Sequence, residues 1–112
     1  MAREVTHVPL LDNVEINRTA ALYTLSNGRR LSNYSMISIE PELNGYARLG
    51  TTIPVNRISN ETSGRFSMLD KAGLSDVEFV IVYHSDTKLE IKFNTTDTSL
   101  TAHMTIDALV TA

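Results

Sequence analysis

Val77-Glu78-Phe79-Val80-Ile81-Val82-Tyr83-His84-Ser85-Asp86-Thr87-Lys88-Leu89-Glu90-Ile91-Lys92-Phe93 is the stretch whose reading decides the fold of this chain. In its second half Leu89, Ile91 and Phe93 alternate with Lys88, Glu90 and Lys92, which gives a strand one dry face and one wet face. In its first half Val77, Phe79, Ile81 and Tyr83 share one face, and Glu78, Val80, Val82 and His84 share the other. A two-residue loop at Ser85-Asp86 would set Phe79 opposite Lys92 and Ile81 opposite Glu90. An odd-length loop sets Tyr83 opposite Leu89, Ile81 opposite Ile91 and Phe79 opposite Phe93. Each apolar cross-strand pair contributes ~0.2–1 kcal/mol, and a slip of one residue exchanges the two faces. The second register is therefore expected, with a loop of three or five residues around Ser85, Asp86 and Thr87, although none of these readily supplies the left-handed residue that a three-residue loop prefers. Val80 and Val82 then sit among Glu78, Glu90, Lys92 and His84. Ordinary exposure is the simpler reading of these two valines, and contact with another subunit is the alternative.

Outward from this hairpin, apolar bursts are separated by turn-like clusters at Asp12-Asn13, Ser26-Asn27-Gly28, Asn44-Gly45, Ser59-Asn60, Ser63-Gly64 and Ala72-Gly73. Such punctuation is the pattern of an all-β sandwich or barrel. The strand candidates are residues 3–8, 13–17, 20–26, 34–40, 46–53, 65–69, 77–84, 88–94 and 102–110. Together they predict an antiparallel β-sandwich of eight to nine short strands in one domain over residues 1–112. Pro54 marks an edge strand or the end of one, because it has no N–H for a ladder. Glu40-Pro41-Glu42 reads as a strand leaving its sheet for the same reason. In the last segment Met104, Ile106, Ala108 and Val110 alternate with His103, Thr105 and Asp107 as in a strand, while Leu100, Met104 and Ala108 also fit a helical stripe. The threonines and the lack of a cap favour strand.

Composition narrows the function classes. The chain has 112 residues, 42% apolar and 21% charged, a formal net charge of −3 and no cysteine. Disulfides, thiolate metal sites and cysteine nucleophiles are thereby excluded. The acidic balance argues against nucleic acid as a partner. No apolar run approaches the ~20 residues of a bilayer span, so membrane insertion is not expected.

Motifs for chemistry are missing. His7, His84 and His103 are scattered without metal-ligand spacing, and no metal or other cofactor is expected. The succession His84-Ser85-Asp86 imitates a catalytic relay, but adjacent strand residues point to opposite faces, so it reads as a polar hairpin tip. There is no nucleophile elbow, and the five glycines are dispersed, which leaves no phosphate loop. Carboxylate pairs drawn from Glu40 and Glu42, or from Asp70, Asp76 and Glu78, fit solvation and turn formation better than glycoside cleavage. Arg29-Arg30 is the one adjacent basic pair and reads as a solvated turn. The expectation is a protein that is not an enzyme.

The order of segments resembles the C-terminal tip modules of bacteriophage tail fibres and related minor tail proteins. The resemblance runs over residues 20–110 and is carried by Leu31-Ser32-Asn33-Tyr34-Ser35-Met36-Ile37-Ser38-Ile39, Gly50-Thr51-Thr52-Ile53-Pro54-Val55, Phe79-Val80-Ile81-Val82-Tyr83 and Thr87-Lys88-Leu89-Glu90-Ile91-Lys92-Phe93. The close differs, with Ile106-Asp107-Ala108-Leu109 where those modules commonly end in an I-Y-G-I-like string. The resemblance implies a non-enzymatic β-sandwich at a fibre tip in the virion, a homotrimer, which adheres to a bacterial surface glycan or protein. Candidate receptor contacts, chosen by residue type and loop position, are Asn44, Tyr46, Arg48 and Arg57 near one set of turns, and His84 and Asp86 at the hairpin tip. The alternative is a structural capsid, decoration or tail-assembly subunit, and a small hydrolase ranks last.

Overall fold

The computed structural model describes residues 5–47, 50–59, 65–72, 75–95 and 99–111. Among the described residues nine strands form two antiparallel sheets that pack face to face, an all-β sandwich. The strands are β1 (Val5–Ile16), β2 (Ala21–Thr24), β3 (Met36–Leu43), β4 (Tyr46–Ala47), β5 (Thr51–Pro54), β6 (Arg65–Ala72), β7 (Ser75–Ser85), β8 (Lys88–Thr95) and β9 (Ala102–Thr111). The first sheet runs β1-β9-β3-β4, with β5 also paired to β3, and the second runs β2-β8-β7-β6. Two 3-10 turns at Ser26–Gly28 and Leu31–Asn33 join β2 to β3, and a one-turn helix, α1 (Asn56–Ser59), follows β5.

The hairpin of β7 and β8 has the register that its pattern demands. Phe79 lies opposite Phe93, Ile81 opposite Ile91 and Tyr83 opposite Leu89. The two phenylalanine rings stack with centroids 6.1 Å apart. The loop is nonetheless a two-residue one, Asp86-Thr87, because Ser85 pairs with Lys88. A bulge between Tyr83 and Ser85 leaves His84 as the extra residue, and this single insertion supplies the odd parity that the expected three- or five-residue loop was to provide. The apolar pairing is thus satisfied by a strand irregularity rather than by loop length.

Both segments expected at 3–8 and 13–17 belong to the one strand β1. Register shifts between Pro9 and Leu11, and between Leu11 and Val14, absorb the turn-like Asp12-Asn13 as a bulge, with Asn13 at φ 48°. Asparagine tolerates this left-handed conformation. The segment expected at 46–53 is divided into β4 and β5. The ambiguous last segment is a strand, and it lies at the centre of the first sheet with Ala102, Met104, Ile106 and Ala108 all buried.

Pro41 does not take β3 out of its sheet. It pairs with Met104 of β9 on one side. On the other side β5 starts at Thr51 opposite Ile39 and β4 ends at Ala47 opposite Glu42, so Pro41 faces a gap in the ladder. The N–H that proline lacks has no partner to disappoint there. Pro54 closes β5, an edge strand paired to β3 alone, as its chemistry requires. Close approach fixes Gly50 just before β5, since a Cβ there would lie 2.9 Å from the Ile39 carbonyl oxygen.

Between the sheets lies an apolar core of Leu10, Leu31, Ile37, Ile39, Leu43, Ile58, Phe79, Ile81, Leu89, Ile91 and Met104, each at 0 or 1% exposure, with Phe93 at 2%. None of the buried residues described is polar or charged, so the core is held by area removed from water. Polar chemistry is left to the rims and the two outer faces.

Candidate functional site

The β7–β8 tip, the two 3-10 turns and the β5–α1 junction meet at one end of the sandwich. Met36 pairs with Pro54, so the chain entering β3 and the chain leaving β5 emerge side by side. The Val55 N–H donates to the Ser35 carbonyl at 2.8 Å and ties them together. Ser32, Tyr34, Ser35, Pro54, Val55 and Asn56 line the groove between them, about 320 Å³ in volume. That volume lies at the small end of the range for ligand sites, ~300–1,000 Å³.

Asp86 fixes the rim of this groove. Its carboxylate accepts the Ser32 backbone N–H at 2.8 Å, the Ser32 hydroxyl at 2.7 Å and the Arg30 Nε–H at 2.9 Å. The Asp86 carbonyl accepts the Leu31 N–H, and the Thr87 carbonyl accepts the Leu25 N–H, both at 2.9 Å. These bonds clasp the hairpin tip to the 3-10 turns. Donation from Arg30, then from Ser32, holds the Asp86 carboxyl below the usual carboxylate range. On the far side of the turns Arg29 donates to the Pro9 carbonyl and the Ser26 hydroxyl to the Leu10 carbonyl, so the loop is anchored to β1 as well.

Inside this frame some polar groups are uncommitted. Among the described residues, no hydrogen bond engages the Tyr34 hydroxyl or the Asn56 side chain, and the exposed Arg57 guanidinium beside Asn56 has no ion pair. Tyr34 is half-buried and packs on the core, which holds its ring as a fixed wall. The lining holds no carboxylate, histidine or cysteine. It offers hydroxyl, amide and carbonyl groups with one aromatic face, suited to hydrogen-bonding and stacking a polar ligand.

The six residues chosen from sequence fall into two places. Arg57 follows β5 and shares its end with Asp86, and His84 is the exposed bulge residue of β7 next to the same tip. Asn44 lies at the opposite end of β3, eight residues or ~26 Å along, so it does not share a set of turns with Arg57. There Asn44 (φ 51°) and Gly45 (φ 85°) form the two-residue turn from Leu43 to Tyr46. The Asn44 Oδ1 accepts the Thr101 N–H at 2.9 Å, and the Asn44 N–H donates to the Thr101 carbonyl at 2.9 Å. The Tyr46 side chain and all of Arg48 lie outside the described residues. Asp86 and Asn44 are each spent on internal clasps.

A second, smaller hollow of about 110 Å³ beside Thr101 is floored by Phe93, over whose ring the Arg18 guanidinium sits at 5.0 Å while it donates to the Leu100 carbonyl. Tyr34, Ser35 and Asn56 were missed from sequence. The usable signal was that strands 34–40 and 46–53 were both assigned, and an antiparallel pairing between them brings residues 32–35 beside residues 54–56.

Comparison with protein-family models, curated proteins and solved structures finds no match to this chain. Functional assignment therefore rests on the groove and on the chemistry of its residues.

Proposed function

We propose that this chain is a non-enzymatic binding module that holds a bacterial surface glycan, or a polar loop of an outer-surface protein, in the groove between Tyr34 and Asn56. The observation that carries this reading is a polar groove whose Tyr34 hydroxyl and Asn56 amide no other described residue engages, built on a frame held by the Asp86 clasp. Preorganised loops lose little freedom on binding, which favours weak polar ligands. The likeness of segment order to phage fibre tips supports a place at the end of a tail fibre, where several copies act together. Multivalent display raises apparent affinity by ~10²–10⁴ without better single-site contacts.

The test is retention of the labelled protein on intact bacterial cells and on arrays of their surface glycans. Tyr34→Ala and Asn56→Ala are expected to lower single-site affinity about tenfold each, equivalent to ~1.4 kcal/mol. Binding that is indifferent to both substitutions places the site elsewhere and overturns the assignment. A structural virion subunit is the second reading, and Leu22, 50% exposed on the outer face of the second sheet, is the observation that favours it.

A further inference from the structure

Two rows of side chains cross the outward face of the second sheet at neighbouring levels. Leu22 pairs with Glu90, and Glu90 with Val82, which makes the first row. Lys92 pairs with Val80, and Ala20 stands one residue before the Ala21–Ile91 pair, which makes the second row Ala20, Lys92, Val80. Ala20, Val80, Val82, Glu90 and Lys92 enclose a hollow of about 190 Å³. Its floor is Val80, at 1% exposure, and beside it Leu22 stands 50% exposed.

We propose that a second copy of this chain covers this face, related by a two-fold axis that crosses the strands at the level of Ile91 and lays the row Leu22–Glu90–Val82 of each copy over the row Ala20–Lys92–Val80 of the other. The β2 and β8 positions of the two rows are then matched. The protruding Leu22 meets the small Ala20 at the edge of the hollow and the Glu90 carboxylate meets the Lys92 ammonium, while Val82 comes over the hollow above the buried Val80. The match continues one level out, where Lys88 comes over Asn94, whose amide donates to the Glu78 carboxylate at 3.0 Å.

The alternation of charge is what selects this occupant. A partner with a surface of one sign would match either Glu90 or Lys92 and oppose the other, whereas an inverted copy of the same strand matches both. Such a contact is isologous and closes at two copies. It differs from the three-fold assembly implied by the fibre-tip resemblance, and it does not depend on what the groove binds. Three strands of about eight residues and the four residues of β2, ~4.8 Å apart, give roughly 450 Å² of face per copy. The total of roughly 900 Å² falls just under the ~1,000 Å² of a stable specific interface, so a weak, reversible dimer is expected.

Sedimentation of the full chain over about 1 µM to 1 mM tests the proposal. The wild type is expected to pass from one to two chain masses across that range. Glu90→Lys alone and Lys92→Glu alone each place like charges over one another twice, and each is expected to weaken the dimer at least tenfold. The double variant carrying both substitutions restores opposite charges and is expected to recover dimerisation, with circular dichroism confirming that all variants are folded. A wild type that stays monomeric or forms trimers overturns the proposal, as do single variants that dimerise normally or a folded double variant that stays dissociated.

Discussion

Asp86 and Ser32 are 54 residues apart in sequence, yet the Asp86 carboxylate accepts both the backbone N–H and the hydroxyl of Ser32, at 2.8 and 2.7 Å. With Arg30 on the same carboxylate, one side chain at the tip of β7–β8 sets the shape of the loop that enters β3. The groove proposed to bind a ligand begins at Ser32, so this clasp links the hairpin that organises the fold to the proposed site.

Asp86→Asn keeps the size of the side chain but removes the charge that Arg30 and Ser32 favour. Its pair with Arg30 is solvent-exposed and contributes little by itself, so the loss is expected to be about 1 kcal/mol, mostly from the bonds to Ser32. Because the folded carboxyl titrates below its unfolded value, its contribution is complete above the unfolded pKa of ~3.9 and disappears as pH falls through the folded one. Thermal melts are expected to show a constant gap between wild type and variant from neutral pH down to about pH 5, closing below about pH 4.

The register of β7 gives adjacent residues opposite fates. Ile81, fully buried against Ile91, is expected to cost about 2–5 kcal/mol on change to alanine. Val82, half-buried on the outer face, is expected to cost less than about 1 kcal/mol in the monomer. Denaturant midpoints at low protein concentration measure both. Equal costs would mean that the inner and outer faces had been exchanged.

Asn44→Ala removes an acceptor from the Thr101 N–H and puts alanine at a φ of 51°. Together these are expected to destabilise the chain by about 2 kcal/mol, read as a fall in the urea midpoint. Ligand binding is expected to be unaffected, because Asn44 is at the end of β3 away from the groove. A variant that folds as well as wild type but loses binding would move the site to that end.

What the sequence disclosed was whatever depends on local alternation. The pairing of Phe79 with Phe93 and Ile81 with Ile91 follows from parity alone, and the burial of Met104, Ile106 and Ala108 follows from the period of β9. The His84 bulge was illegible, because the inserted residue is not a glycine and carries no left-handed signature. Pro41 misled for a related reason: whether a missing N–H matters depends on where β4 ends and β5 begins, which no local string records. The site suffered most. Residue type singled out Asn44 and Asp86 as loop-borne polar groups, but tertiary contacts with Thr101 and Ser32 engage them, and the uncommitted Tyr34 and Asn56 come together only through the pairing of β3 with β5.

The central claim is that the groove at the β3–β5 end is where a surface ligand is held. Amide chemical shifts of the labelled protein, followed while a panel of bacterial surface polysaccharides is added, test it most directly. The account predicts that a binding polysaccharide moves the amides of Ser32 to Ser35 and of Val55 to Arg57, while Asn44 and Thr101 stay in place. Shifts clustered at Asn44 and Thr101, or no shift with any polysaccharide of the panel, would contradict it.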